Sequence, residues 1–340
     1  MCRVAGLLVL LLAAGTSPAI GSTLETAADQ PAALLLFPKV VVDGTRDTVL
    51  QLSNASGATV HVRCFYTNPS TDRETGEPVW LTVNFRLRLT PLQPTVWVAS
   101  EGRPVVPPDR PLELEPGPVP PLATGFLGEL RCVAVDAEDR PVTRNVLTGN
   151  ATIVDRARRD VLRYQAIGIR ALPKNNEDGT LLLNDVEYTT CPRVLLWNHF
   201  FEGALDPVLL EPVSARLTVV PCSVDYERDI PGVAFLQFDV VNEFEQRLSA
   251  SLFVECFADV RLSEIDAEDP TRSVFHVGTQ GTLAGQTRIR PVPDGGTTAG
   301  HGIVAVGEQI HGPDGPSAAA NLHFIGGNLQ GDVVVLPRIF

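Results

Sequence analysis

Six histidines, His61, His199, His276, His301, His311 and His323, together with a set of carboxylates at turns, are the residues whose types could carry chemistry in this chain. A metal centre or a proton-transfer site needs such groups at fixed mutual spacing. His301 and His311 flank the apolar stretch Ile303 to Val306 and come nearest to that, but no His-Glu-x-x-His segment occurs, and the scatter favours structural histidines. Blue-copper sites usually take an axial methionine, and the only methionine is Met1. A serine hydrolase of the α/β type would show Gly-x-Ser-x-Gly after a strand, and the sequence has no such pentapeptide.

Asp43, Asp47, Glu202 and Asp206 fall at matching turns in the two halves of the chain. Paired carboxylates are the machinery of glycosidases, yet the same acids returning in both halves point to turn chemistry. Asp178-Gly179, Asp294-Gly295 and Asp314-Gly315 lack the alternating acids and terminal Glu of a calcium loop. Trp80, Trp97, Tyr66 and Phe85 offer either a sugar-stacking platform or core packing. On these residues no catalytic, cofactor or metal site is expected, and the protein reads as a non-enzyme.

The elements that would position any site read as strands. Val60, Val62 and Cys64 alternate with His61 and Arg63, and Leu252, Val254 and Cys256 alternate with Phe253 and Glu255, the period of two of a half-buried strand. The two stretches match, as do Leu50-Gln51-Leu52 and Leu236-Gln237-Phe238 ahead of them, so each is expected to form a hairpin belonging to a duplicated unit. Leu34 to Val42 with its following Asp43-Gly44 matches the stretch Arg193 to Gly203, hydrophobic on hydrophobic and acid-Gly on acid-Gly (Glu202-Gly203), and Asn145 to Val154 resembles Gly327 to Leu336. Arg216 to Cys222 then looks like a strand inserted in the second unit. Leu81, Val83, Phe85, Leu87 and Leu89 alternate with polar residues, as in an antiparallel strand with one buried face. The proline-rich run from Arg103 to Pro121 reads as a stiff surface connection. No segment keeps a helical period beyond a turn or two. The expected fold is all-β, two tandem antiparallel β-sandwich domains at 30–165 and 191–340 joined by linking strands at 166–190.

With 340 residues, 44% of them hydrophobic, the chain can bury two cores. Its net charge of −13 opposes nucleic acid as a partner. Lys39 and Lys174 are the only lysines among 27 basic residues. Arg3, the apolar run Val4 to Ala14 and the small residues ending at Ser22 form a secretory leader over residues 1–21, and no later stretch is apolar enough to span a bilayer. The expected locations are the periplasm, the cell surface or the medium. Export permits disulfides among Cys64, Cys132, Cys191, Cys222 and Cys256. Cys64 should pair with Cys132, the only two cysteines of the first unit. Cys222 with Cys256 is the favoured second bond, Cys191 being either a buried thiol or a replacement for one of that pair. Asn54-Ala55-Ser56 and Asn150-Ala151-Thr152 are glycosylation sequons.

Leu36 to Gly44 with Asp47-Thr48, Cys64-Phe65-Tyr66, Gly128-Glu129-Leu130-Arg131-Cys132 and Trp197-Asn198-His199-Phe200 resemble a group of secreted proteins of GC-rich proteobacteria. The resemblance covers most of the mature chain and implies secretion and repeated immunoglobulin-like β-sandwich domains. It brings no activity, ligand or catalytic residue with it. The function expected is therefore a structural, adhesive or ligand-binding role outside the cytoplasm, with a surface protein or a polysaccharide as partner. The alternatives are a secreted hydrolase with an unfamiliar site and a periplasmic metal-handling or assembly factor.

Overall fold

Nine residues in a row, Leu34 to Val42, are all buried, and the run is apolar except at Lys39. Such a run suits a strand covered on both faces, and as β1 (Leu34–Val42) it is the hub of the first half. The computed structural model describes residues 28–71, 78–104, 114–175, 178–292, 302–328 and 331–338. The expected leader, the centre of the proline-rich run, Asn176-Glu177, Asp294-Gly295 and His301 lie outside the described residues.

The first half continues with β2 (Arg46–Asn54), β3 (Val60–Thr71), β4 (Pro78–Leu89), β5 (Pro94–Val98), β6 (Phe126–Val135), β7 (Leu147–Asp155) and β8 (Asp160–Gln165). Two short strands follow, β9 (Ile167–Ile169) and β10 (Thr180–Leu183). The second half holds β11 (Pro192–Phe200), β12 (Val213–Pro221), β13 (Val224–Asp225), β14 (Val233–Asn242), β15 (Arg247–Glu255), β16 (Ala258–Arg261), β17 (Ala284–Val292), β18 (Ile303–His311), β19 (Ser317–Asn321), β20 (His323–Gly327) and β21 (Asp332–Val335). Among the described residues, helix is limited to the one turn α1 (Val277–Gln280) and to 3-10 turns. No helix among them is long and apolar enough to cross a membrane. The protein is all-β, with its main sheets antiparallel.

The same pairings occur in both halves. In the first, β1 pairs with β6 and β9, β2 with β5 and β7, β3 with β4 and β6, and β7 with β8; β1 also meets β2 at Val42 and Asp47, a pairing without a counterpart among the described residues of the second half. In the second, β11 pairs with β17 and β20, β12 with β16 and β18, β14 with β15 and β17, and β18 with β19. A further small sheet, β10-β21-β13, has no counterpart in this scheme.

This pairing corrects part of the register read from the sequence. Leu35 lies opposite Cys132 and Leu195 opposite Ile289, so Cys64 opposite Cys132 corresponds to Phe238 opposite Ile289. The counterpart of Cys64 is therefore Phe238 on β14. Cys256 lies beyond the end of β15, in a left-handed conformation (φ 64°). The expected repeated hairpin forms only in the second half, where β14 and β15 pair; β2 and β3 share no ladder. Alternating apolar residues and a polar turn are common to many strand pairs, so they fix the face of a strand without fixing its partner. Arg216 to Cys222 is likewise no insertion, since β12 has the partners of β2. The counterpart of β7 is β18, whereas Gly327 to Leu336 runs from β20 into the small sheet. On β4 the buried alternation holds for Phe85, Leu87 and Leu89, but Leu81 and Val83 are 53% and 43% exposed. The pairing of β3 with β6 ends at Thr67, so Leu81, opposite Asn68, lies beyond that ladder, and Val83, opposite Tyr66, lies at its end.

The register in β1 and β11 is tied to a shared packing detail. A Cβ on Gly149, opposite Leu52, would sit 2.7 Å from the ring of Phe37 and 2.8 Å from the carbonyl oxygen of Gln51. A Cβ on Gly307, opposite Leu217, would sit 2.5 Å from the indole of Trp197. In each half an aromatic of the first strand lies on a glycine of the strand across the core. Gly149→Ala is therefore expected to cost about 1–3 kcal/mol by overpacking, less the few tenths gained from a stiffer unfolded chain. Gly57→Ala, with nothing within 4 Å of the new Cβ, is the control. Urea midpoints for the two variants measure this, and a Gly149→Ala protein as stable as the control would contradict the packing.

Three apolar clusters fill the interior. One lies mainly among β1 to β8 but takes in Val306 of β18, one lies within the second half, and a third draws on both halves: Leu34, Leu36, Phe65 and Val133 from the first, Ile167, Ile169 and Leu181 from the segment between, and Val220, Val224, Val304 and Val334 from the second. Charged groups cross the same junction. Lys39 Nζ reaches Glu308 Oε2 at 2.7 Å and Asp259 Oδ1 at 3.0 Å. Arg131 donates to the carbonyls of Pro221 and Cys222 at 2.6 Å each while its Nε holds Glu129. The halves thus meet through apolar packing and buried, paired cations.

Candidate binding site

The residues singled out in the sequence do not converge. Asp43 closes its own turn, accepting from the Thr45 and Arg46 N–H groups and the Arg46 guanidinium. Partial burial acts to raise its carboxyl, but these bonds outweigh that and hold it down at about 2. Asp47 accepts from Thr48 N and Ser100 Oγ. Glu202 accepts from Ala215 N at 3.3 Å, and burial pushes its carboxyl up. Asp206 accepts from the Leu209 and Val208 N–H groups and lies 2.6 Å from His311 Nδ1, contacts that lower its pKa. Asp43 and Asp206 thus close their own turns, while Asp47 ties β2 to Ser100 and Glu202 bonds β12.

The histidines are equally dispersed. His199 is buried, its Nδ1 donating to the carbonyl of Phe200 at 2.9 Å and its Nε2 accepting from Thr287 Oγ1 at 2.7 Å. Burial holds its pKa down at about 4, so the ring is neutral. His276 caps α1 by accepting from Gly278 N. Among the described residues the one group with metal-ligand proximity is Cys191, Cys222 and Asp332. Its two sulfurs are joined to each other, and Asp332 already accepts from Ser223 Oγ, Gly302 N and Asn328 Nδ2. The aromatic platform is core: Trp97 Nε1 donates to Tyr66 Oη at 2.6 Å, Phe85 packs edge-on to Trp97, and Trp80 stacks on Tyr226 between the halves.

The structure joins Cys64 to Cys132, directly opposite one another on β3 and β6. The second bond is Cys191–Cys222, which corrects the expected Cys222–Cys256. Cys222 N bonds the carbonyl of Gly302, and a Cβ on Gly302 would lie 2.4 Å from that of Cys191. The bare glycine therefore lets both cysteines close on one spot. Cys256 follows β15, in a different sheet from β12, and is a buried thiol. Asn54 of the first sequon is buried, its Nδ2 donating to the carbonyls of Ala58, Leu89 and Thr90.

What remains is a surface. In β14, Ala234, Leu236, Phe238 and Val240 point inward, so Phe235, Gln237, Asp239 and Val241 face out. In β17, Thr287 and Ile289 point inward, so Gln286, Arg288 and Arg290 face out. The sheet order β15-β14-β17-β11-β20 lines these up. One row runs Ser249, Asp239, Arg288, Leu196, His323, and the next Ser251, Gln237, Arg290, Val194, Ile325. Arg247, Val241, Gln286 and Asn198 form a third row, and Phe253 with Phe235 stands at one edge.

Two adjoining depressions of about 720 and 590 Å³ lie on this face and share Asp239, Arg288 and Arg290. Arg193 and Arg247 line their flanks. Arg290 donates to Gln237 Oε1 at 2.6 Å and stands 3.7 Å from Asp239 Oδ2; Gln286 donates to Asn198 Oδ1. Arg193, Arg247 and Arg288 have no ion-pair partner among the described residues. Phe235 and Phe253 are 37% and 57% exposed. The face thus offers one guanidinium held by Gln237, three more without an ion-pair partner among the described residues, carboxamides and two exposed rings, chemistry suited to holding carboxylates or sulfates on a hydroxyl-rich chain. Its sequence signal was the alternation Gln286-Thr287-Arg288-Ile289-Arg290, which acquires meaning only once the neighbouring strands are known.

No protein-family model and no curated protein matches the sequence. Among solved structures the chain is similar to the tandem CBM22-1-CBM22-2 domain of Paenibacillus barcinonensis Xyn10C, with 9% identity over 81% of this chain and 84% of that one at a TM-score of 0.18. It is also similar to the cowpea mosaic virus top component, with 9% identity over 94% and 98% of the two chains at a TM-score of 0.20. Red sea bream transglutaminase aligns at 8% identity over 90% of this chain and 32% of that one, with a TM-score of 0.14. At such scores these likenesses carry no argument about what the chain does.

Proposed function

We propose that this is an exported, non-catalytic binding protein that holds an acidic polysaccharide on the outer face of the sheet β15-β14-β17-β11-β20. The observation that carries the reading is the convergence of Arg193, Arg247, Arg288 and Arg290 against Asp239 and Glu243 on one face of a chain whose net charge is −13. A local surplus of arginine on an acidic protein draws a polyanion to that face and repels it elsewhere. Asp43, Asp47, Glu202 and Asp206 each make separate local hydrogen bonds and share no site. Two disulfides support an oxidising compartment, reached through the leader at residues 1–21. The coincident strand pairings support descent of the halves, 30–165 and 191–340, from one duplicated immunoglobulin-like sandwich.

Affinity electrophoresis tests this. Migration should be retarded in gels containing a polyuronate or a sulfated polysaccharide, and added salt should relieve the retardation. The Arg288→Ala/Arg290→Ala variant should bind at least about tenfold more weakly, since each charge-assisted hydrogen bond contributes roughly 1.5–3 kcal/mol. Equal retardation of wild type and variant, or none for either, would refute the assignment.

A further inference from the structure

The first half carries a second, chemically different face. In β2, β5, β7 and β8 the register sets Val96, Gln51, Asn150 and Gln165 in one row, with Pro94, Ser53 and Thr148 in the next. These residues line a depression of about 400 Å³ that contains no charged side chain. Adjacent strands are about 4.8 Å apart, so the carboxamides of Gln51, Asn150 and Gln165 form a ladder spanning roughly 10 Å. Asn150 Oδ1 is shielded from solvent yet has no hydrogen-bond partner. A shielded acceptor left without a donor costs free energy in a folded protein, which points to a donor supplied from outside. Pro94 and Val96, the latter 52% exposed, form an apolar shoulder beside the ladder.

We infer that this depression is a binding site for a neutral oligosaccharide. Each carboxamide presents a donor and an acceptor together, the complement of sugar hydroxyls that both donate and accept, and the apolar shoulder fits the C–H face of a pyranose ring. A charged ligand would be desolvated here without a counter-charge. The row runs across the strands of the β5-β2-β7-β8 layer, so a ligand lying along it meets side chains of all four strands and not the edge of one ladder. The site is separate from the arginine face, which lies on a sheet of the other half.

The test uses the full chain in affinity gels containing a soluble glucan, a xylan or a mannan, each uncharged. At least one should retard the wild type, with little effect of salt. Gln51→Ala and Asn150→Ala should each weaken that retardation at least tenfold, while Arg288→Ala/Arg290→Ala leaves it unchanged. Should Asn150→Ala fail to fold, Gln165→Ala, on an exposed side chain, replaces it, and unfolding midpoints confirm the fold of every variant used. The inference is overturned if no neutral polymer retards the wild type, or if the Gln51 and Gln165 variants are retarded as strongly as wild type. It is also overturned if the arginine variant loses neutral and acidic binding together. Failure on the acidic polymers alone would sink only the reading of the other face.

Discussion

Lys39→Met should destabilise the protein by about 3–5 kcal/mol, the range for removing one partner of a buried ion pair. Lys39, Asp259 and Glu308 have side chains 2%, 3% and 3% exposed. Arg216 Nη1 completes the group at 2.8 Å from Asp259 Oδ2, and Thr218 Oγ1 donates to Asp259 Oδ1. Burial acts to raise the Asp259 carboxyl, but Lys39 and Arg216 outweigh it and hold the pKa below the usual range. Two cations thus balance two anions, and methionine, similar in length but uncharged, leaves Glu308 with no cation in a buried junction. Because Lys39 belongs to β1 while Asp259 and Glu308 belong to β16 and β18, the loss falls on contact between the halves. Urea unfolding followed by tryptophan fluorescence would read it, Trp97 and Trp197 reporting from either side. A loss under about 1 kcal/mol would mean that water reaches these charges, and the buried junction would have to be abandoned.

That cluster also marks a limit of reading the sequence. Lys39 stands out as the one charge in Leu34 to Val42, which is enough to flag it as exceptional, but its partners lie 220 and 269 residues away and no local pattern points to them. The strands themselves were legible, because alternation and burial on both faces are written into consecutive residues. The likeness of β1 and β11 was legible too, but the acid-Gly match of Asp43-Gly44 with Glu202-Gly203 sets Phe37 on Leu196, one residue from the Trp197 that plays its part in the ladders. The match of Cys64 to Cys256 failed because Val60 to Tyr66 and Leu252 to Phe257 share only a pattern of half-burial; one is an interior strand with ladders on both sides, the other a strand paired only with β14. For the same reason the arginine face is not legible in the sequence: outward residues of five strands become neighbours only through sheet order, which no single stretch encodes.

The cysteines give the second large effect. Replacing Cys64 and Cys132 together by alanine should cost about 4 kcal/mol in the chain-entropy model, the bond closing a span of 68 residues. Cys191–Cys222 closes 31 and should be worth slightly less, because the entropy of closure grows only with the logarithm of loop length. A denatured chain that stays compact lowers both figures, but it lowers them together, so their order survives. The bonds differ in what they hold. Cys64 and Cys132 face each other across one ladder, whereas Cys191–Cys222 ties the start of β11 to the end of β12, beside Gly302 and Asp332, in the cluster that both halves share. Losing the first should therefore lower the stability of the first half's core, and losing the second should loosen the junction. Among Cys64, Cys132, Cys191, Cys222 and Cys256, thiol labelling without reductant should mark Cys256 alone, and only after unfolding. That thiol is 7% exposed, and burial pushes its pKa up, so in the native protein it is both shielded and protonated. Peptide mapping that found Cys256 bridged to Cys222, or Cys191 labelled in the unreduced chain, would overturn the pairing and with it the close approach at Gly302 that explains it.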